Sequence, residues 1–355
     1  MKTDRSIRTF LAANSANGFV SFFDEIRDFE STYIIKGGPG TGKSSLMKKV
    51  ASAAQSQDMA VEYIFCSSDP NSLDAVCIKD IPIAIADGTA PHTMEPKYPG
   101  AMGGIIDVGR FWDEEKIVSF KEDVIELSQN VSSEFSGAYR WLKAAGAIYE
   151  DIEKTAEKAF NNVKANSFTD GLIKKTVVKK GEQCGKIKKR FISGITPLGI
   201  VTFYDTIYNL CEKVITVKDK YLLSDRIISR FAHGAKDEGY TVYAFYNPLM
   251  PDRMMHAAVP ELGFAIASDT FMARFEPKNA KSVSMERFIG DIDKKRLTAD
   301  YKALNACIKE AVLRIKKAKA YHDDLEDIYI SAMNFSLLEL ETKAFIQKHI
   351  IKKDT

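Results

Sequence analysis

Two rhythms of apolar residues run along the chain. Thr32-Tyr33-Ile34-Ile35, Ala60-Val61-Glu62-Tyr63-Ile64-Phe65 and Ile81-Pro82-Ile83-Ala84-Ile85-Ala86-Asp87 are short apolar runs bounded by turn formers, and they predict strands. Between the first two, Leu46, Met47, Val50, Ala51 and Ala54 recur at helical spacing, which predicts a helix from Ser44 to about Gln57 with one apolar face. Later the rhythm lengthens. Ile117, Phe120, Val124, Leu127, Val131, Phe135, Ala138, Leu142, Ala145, Tyr149 and Ile152 recur every three or four residues. Leu297, Tyr301, Leu304, Ile308, Val312 and Ile315 do the same. Both stretches predict long amphipathic helices with a narrow seam. Such a seam packs either on its own domain or, as a projecting hairpin, on a protein partner or the other half of the chain.

The pattern repeats with an offset of 181 residues. Residues 10–97 align with 191–278 without a gap, with 18 identities in 88 positions. Phe10, Gly18, Phe22 and Asp24 meet Phe191, Gly199, Phe203 and Asp205; Ala84-Ile85-Ala86 meets Ala265-Ile266-Ala267, and Glu95-Pro96-Lys97 meets Glu276-Pro277-Lys278. The chain is a tandem duplication. Its boundaries divide it into a first module, 1–170, a basic linker, 171–189, and a second module, 190–355. Each module shows three convincing strands before its helices begin. The sheet therefore gains strands elsewhere, as near Phe19–Phe23, or the modules complete each other.

Composition narrows the function. The 355 residues suffice for about two domains, and 45% apolar with 28% charged is a globular balance. A net charge of +2 argues against a polycation built to coat nucleic acid. Lys174, Lys175, Lys179, Lys180, Lys186, Lys188, Lys189 and Arg190 nevertheless cluster against one acid, Glu182. That cluster reads as a solvated linker, with a phosphate-backbone contact left open; no aromatic is interleaved for base stacking. No run of 18 apolar residues exists, so no membrane span is expected. Five cysteines without a CxxC pair argue against a disulfide framework or a zinc site. The expectation is a reduced, cytoplasmic protein.

The candidate chemistry lies in Gly37-Gly38-Pro39-Gly40-Thr41-Gly42-Lys43-Ser44, followed by Ser45, which fits GxxxxGK[ST] between a strand and a helix. Glycines let backbone N–H groups curl round a phosphate, and the helix N-terminus adds donors and partial positive charge. In that role Lys43 reaches the β- and γ-phosphates of ATP, and the Ser44 hydroxyl ligates Mg²⁺. A second acid is needed for the metal. Asp87, ending an apolar strand in Walker B form, is the candidate, although Asp before Gly88 also starts turns. Asp69, in Cys66-Ser67-Ser68-Asp69 at a strand's C-terminal edge, is placed to orient a water or accept a proton; Pro70-Asn71 equally reads as a turn. Cys66 reads as a small buried residue. His92 reads as a γ-phosphate or substrate contact, or as a satisfied loop histidine.

These residues resemble a family of tandem P-loop proteins of spore-forming and related bacteria, generally labelled ATPases or nucleotide kinases. The resemblance covers nearly the whole chain. It is carried by Lys36 to Ser44, by Cys66-Ser67-Ser68-Asp69 with Ser72-Leu73-Asp74, by Asp87-Gly88-Thr89-Ala90-Pro91-His92 with Pro96-Lys97, and by Pro99-Gly100, Phe111-Trp112-Asp113 and Thr196-Pro197. It implies ATP binding and two P-loop modules. The family's second module usually keeps its own loop. Here the aligned stretch is Lys218-Asp219-Lys220-Tyr221-Leu222-Leu223-Ser224-Asp225, without the glycines or the lysine. The expected fold is thus α/β: two tandem P-loop NTPase-like modules in pseudo-two-fold relation, each followed by long helices, with one working site. Ser224 as N-cap and Asp225 in the first turn are expected to replace the anion in the second. The expected activity is Mg²⁺-dependent ATP hydrolysis coupled to a conformational change. The alternatives are a small-molecule or nucleotide kinase and a nucleotide-sensing interaction protein with slow turnover.

Overall fold

The structure, a computed structural model, describes residues 6–274 and 281–351. Glu276-Pro277-Lys278, part of the repeat match, lies outside them. The first repeat forms β1 (Ile7–Phe10), β2 (Ala12–Ser15), β3 (Gly18–Ser21), β4 (Ser31–Lys36), α1 (Lys43–Ser56), β5 (Val61–Phe65), β6 (Leu73–Ile78), β7 (Ile83–Asp87) and β8 (Gly103–Asp107). Helices α2 (Glu114–Ser119), α3 (Lys121–Glu157) and α4 (Asn162–Thr176) follow. The second repeat forms β9 (Ile187–Arg190), β10 (Ser193–Thr196), β11 (Gly199–Thr202), α5 (Asp205–Leu210), β12 (Lys213–Lys218), α6 (Asp225–Asp237), β13 (Val242–Tyr246), β14 (Met254–Val259), β15 (Phe264–Asp269) and β16 (Lys281–Ser284). It ends in α7 (Lys294–Ala332) and α8 (Phe335–His349).

Each repeat builds a six-stranded mixed sheet. The orders are β1-β5-β6-β7-β4-β8 and β9-β13-β14-β15-β12-β16, the same order of corresponding elements in the two repeats. In both, the strand before the glycine-rich stretch or its counterpart lies between two parallel neighbours: β4 between β7 and β8, β12 between β15 and β16. In both, one strand runs antiparallel to its two neighbours, β6 in the first and β14 in the second. Even an irregularity is duplicated. The ladder shifts register between Ile64 and Phe65, and again between Phe245 and Tyr246.

The strands missing from the sequence reading are β1, β6 and β8. All six residues of β6 are buried, but Asp74 interrupts its apolar run. β8 begins with two glycines, which carry no strand signal. The stretch near Phe19–Phe23 does contain a strand, β3, but it pairs only with β2, in a separate hairpin that does not extend the sheet.

The chain divides into two compact units. One gathers Met1–Arg8, Phe23–Gly137 and Leu313–Thr355; the other gathers Thr9–Phe22 and Ala138–Val312. The first unit holds most of the first sheet together with α8 and α7 from Leu313 onward. Leu338 and Phe345 of α8 enter the same apolar core as Met47, Val50 and Ile85. Tyr33 of β4 meets the Phe345 ring edge-on at 4.9 Å. The second unit holds the second sheet with α4, α3 from Ala138 onward and α7 up to Val312. Ala138, Leu142, Ala145, Tyr149, Ile152 and Ala156 of α3 are buried there at spacings of three and four. The buried part of the first seam, from Ala138 onward, thus lies in the unit of the second sheet, and α7 from Leu313 onward lies with α8 in the unit of the first, while Phe120 near the start of the first seam is exposed.

Both small hairpins, β2–β3 and β10–β11, belong to the second unit. Phe10 and Phe191, equivalent under the repeat, exchange both backbone hydrogen bonds at 2.8 and 2.9 Å. Phe22 stacks on Phe191 and Phe10 on Phe203, which are also equivalent pairs. A local pseudo-two-fold axis therefore passes between the hairpins.

The basic stretch has most of its lysines exposed and Arg190 at its end buried. Its C-terminal part is edge strand β9, parallel to β13, where lysines on an outer strand discourage further pairing. Lys180 pairs with Glu261, and the Tyr240 hydroxyl donates to the Val178 carbonyl at 2.8 Å. Among the described residues, no helix is long and apolar enough to cross a membrane.

Candidate functional site

The glycine-rich stretch leaves β4 at Lys36 and enters α1 at Lys43. Gly40 and Gly42 have φ of +65° and +84°, the left-handed region that requires glycine in so tight a loop. Gly42 is the N-cap position of α1, and no side chain caps it, so the first-turn donors of the helix are left to the loop. Inside the curl, Thr41 Oγ1 donates to the Gly38 carbonyl at 2.7 Å. The Lys43 ammonium donates to the carbonyls of Gly37 (3.1 Å) and Gly38 (2.6 Å) and stands 3.6 Å from Asp87 Oδ2. Ser44 Oγ accepts the Leu73 N–H at 3.0 Å, tying α1 to the start of β6. Ser45 faces elsewhere, lining a cavity of about 240 Å³ between α1 and α8 with Lys49, Phe335 and Leu338. Pro39, half-buried, stands in the turn between Gly38 and Gly40.

The parallel pairing of β4 with β7 brings Asp87 level with Ile35, next to the loop. Asp87 is a turn starter that also faces the loop lysine. Its Oδ1 starts the turn, accepting the Thr89 N–H at 2.9 Å and the Thr89 hydroxyl at 2.6 Å, while Oδ2 faces Lys43. Asp69 also shapes a turn, through Asn71 N–H at 3.2 Å and the Ser72 hydroxyl at 2.8 Å. Its Oδ2 stands 3.6 Å from Lys319 Nζ.

Two residues join the site without having been singled out together by the sequence. Antiparallel β6 and β7 pair Ala75 with Ala86, so one step further Asp74 stands opposite Asp87. Asp74 Oδ2 lies 3.6 Å from His92 Nε2, both side chains being almost fully buried, and the Phe23 ring packs on the imidazole at 4.6 Å. Burial alone depresses the imidazole's basicity; Asp74 and, behind it, Asp87 reverse this, and the net direction is upward. The Cys66 thiol, sunk beside Asp74, is pushed well up, first by burial and then by that carboxylate, so it stays a thiol and not a nucleophile. The loop carrying His92 is pinned by Lys36, whose ammonium donates to the carbonyls of Gly88 (2.9 Å) and Met94 (2.8 Å).

The repeat supplies an internal comparison. Across the offset Lys36, Lys43, Asp69, Asp74, Asp87 and His92 become Val217, Ser224, Met250, Met255, Ser268 and Ala273. None of the six ionisable side chains survives where the glycines are lost, two of them giving way to serine, while the sheet stays. A signal for Asp74 was therefore present in the sequence, as a charged residue lost together with the loop.

The second loop is closed by a different residue from those expected. Ser224 occupies the N-cap position of α6 without capping it; its hydroxyl pairs with that of Ser268 at 2.8 Å. Asp225 accepts the Met254 N–H at 2.8 Å. The acceptor within the loop is Asp219, the counterpart of Gly38. Its carboxylate accepts the N–H groups of Tyr221 (2.8 Å) and Ser224 (2.6 Å). Burial lifts the Asp219 carboxyl above the usual range, and those amides hold it down in part. Leu222 carries the loop's positive φ, +63°, without a glycine. Arg253 and Arg226 are held by Glu153 (2.9 Å) and Glu157 of α3.

Family models, curated proteins and solved structures give no match to this chain.

Proposed function

We propose that the first repeat binds ATP with Mg²⁺ on residues 37–44 as a P-loop NTPase-like module, and hydrolyses it in step with a conformational change. The second repeat is a non-binding structural module of the same descent. The observation that carries this reading is the meeting of Lys43 and Asp87 at 3.6 Å, at the mouth of a left-handed glycine loop that opens an uncapped helix. That arrangement supplies what phosphoryl transfer asks of a protein: amide donors and a cation for the phosphates, and an acid beside them for the metal.

The donor set fits Mg²⁺, which prefers hard oxygen ligands and keeps several waters. Ser44 Oγ and the Asp87 carboxylate would hold it. Bound there, the ion supplies charge neutralisation across the β- and γ-phosphates. The chain's own residues do the remainder. Loop amides 40–44 orient the phosphates, and Lys43 moves from the Gly37 and Gly38 carbonyls to them. Asp69, or the Asp74–His92 pair, orients the attacking water. The kinase alternative uses that same pair toward an acceptor hydroxyl, and it is separated from hydrolysis by whether inorganic phosphate appears without added acceptor.

The test is Lys43→Ala. Charge-assisted contacts of this kind are worth about 1.5–3 kcal/mol each, so nucleotide affinity is expected to fall at least tenfold. A variant that binds and turns over ATP like the parent chain would end the phosphate-loop reading.

A further inference from the structure

Lys319, His322, Glu326 and Tyr329 follow one another on α7 at spacings of three, four and three, so they form one stripe. That stripe lies against the glycine loop and its acidic neighbour. The Gly40 N–H donates to Glu326 Oε1 at 3.3 Å. A Cβ on Gly38 would stand 2.6 Å from the Tyr329 ring, and one on Gly40 would stand 2.7 Å from the Glu326 carbonyl. Lys319, about 10 Å along the axis from Glu326, pairs with Asp323 on its own helix and reaches Asp69 at 3.6 Å. The segment is fixed in place. Asp113 N–H donates to the Ala332 carbonyl and Asn334 N–H to the Phe111 carbonyl, at 2.9 and 2.8 Å.

A loop amide aimed at an anion is costly to bury without one. The protein meets that need twice, each time with a carboxylate. In the second repeat the carboxylate is Asp219, buried, the side chain of a residue within the loop itself, with two amides at 2.6 and 2.8 Å. In the first repeat it is Glu326, with its side chain 31% exposed, on a separate helix, through one longer bond. The first arrangement is closed. The second is exchangeable, because Glu326 can turn to water without leaving a buried charge behind.

We propose that α7 forms the second wall of the nucleotide site, in which the terminal phosphates take the place of the Glu326 carboxylate at Gly40 and Lys319 turns from Asp69 to become their second cation. This rests on the phosphate-loop reading of residues 37–44. Glu326 then opposes the ligand by like charge, Lys319 favours it, and occupancy biases the position of α7. A triphosphate, which carries the extra charge toward α7, feels both residues more than a diphosphate does.

The experiment is calorimetric titration of the full chain with ADP and with an ATP analogue whose β–γ bridge is methylene. Glu326→Gln keeps the length and helical preference of the side chain and is expected to tighten the analogue about tenfold; Glu326→Ala is expected to do the same. Lys319→Gln is expected to weaken the analogue about tenfold while moving ADP less than threefold. Lys43→Ala is run alongside. If Lys43→Ala loses binding while both Glu326 variants bind like the parent chain, the role of α7 falls and the loop reading stands. If neither the parent nor Glu326→Gln binds either nucleotide, both fall. Equal weakening of ADP and the analogue by Lys319→Gln would remove Lys319 from the terminal phosphate.

Discussion

Replacing Asp219 with Ala tests whether the second loop is a phosphate cradle filled from within. The substitution deletes the acceptors of two N–H groups, those of Tyr221 and Ser224, in a place where the parent side chain is almost fully buried. Hydrogen bonds to a charged acceptor contribute about 1.5–3 kcal/mol each. Against them stands the burial of the charge itself, which is what lifts the Asp219 carboxyl. The balance is an expected loss of about 2–4 kcal/mol from the unit that contains β12 and α6. Urea unfolding followed by Trp141 fluorescence, in a Trp112→Phe background, reads that unit; Trp112 belongs to the other. The variant leaves a carboxylate-sized space lined by amide donors, so formate is expected to refill it. At a free concentration ten times its dissociation constant, the gain is about 1.4 kcal/mol. The parent chain is expected to show no such response. A loss under about 0.5 kcal/mol, or a loss that formate does not repair better than chloride, would refute the argument that Asp219 stands in for an anion.

Three further outcomes follow from the site. On the proposed function, Asp87→Asn keeps the turn's shape but removes the charge proposed to hold the metal, so steady-state turnover is expected to fall about 10²-fold with ATP affinity changing far less; an unchanged rate would move the acid to Asp74 or Asp69. Calorimetry of the monomer with the ATP analogue is expected to give one equivalent per chain and none after Lys43→Ala, and two equivalents would contradict the closed second loop. His256 of β14 is buried with its Nδ1 accepting the Ser268 N–H, and burial pushes its pKa down to about 3. The unfolded chain therefore binds a proton that the folded one refuses, and stability is expected to fall as pH drops below about 6.5, by up to about 1.4 kcal/mol per unit. Urea midpoints from pH 7 to pH 4.5 check this, and His256→Gln is expected to flatten the slope.

The residues at 32–35, 44–57, 60–65 and 81–87 announce their elements because each packs one unbroken apolar face. β4, α1, β5 and β7 duly appear within a few residues of those bounds. The duplication was equally legible, since 181 is a property of the chain alone and survives in strand order and even in the repeated register shift. So was the loop with its flanks, because φ near +65° and +84° at Gly40 and Gly42 demands residues that only composition can supply. Other features were decided by distance in space. β6 hides behind Asp74, whose charge reads as surface in one dimension yet faces His92 in three. Asp219 looked like one more polar residue in a degraded loop, and only backbone curvature aims Tyr221 and Ser224 at it. The helices carried their seams openly, but a seam with period 3.5 states only that it will be covered. Which sheet covers it depends on where a helix of about 55 Å, such as α3, delivers its far end. That length carries the first repeat's α3 from Ala138 onward into the unit of the second sheet, and α7 from Leu313 onward into the unit of the first. No local pattern encodes that exchange, and it is what sets Glu326 on Gly40.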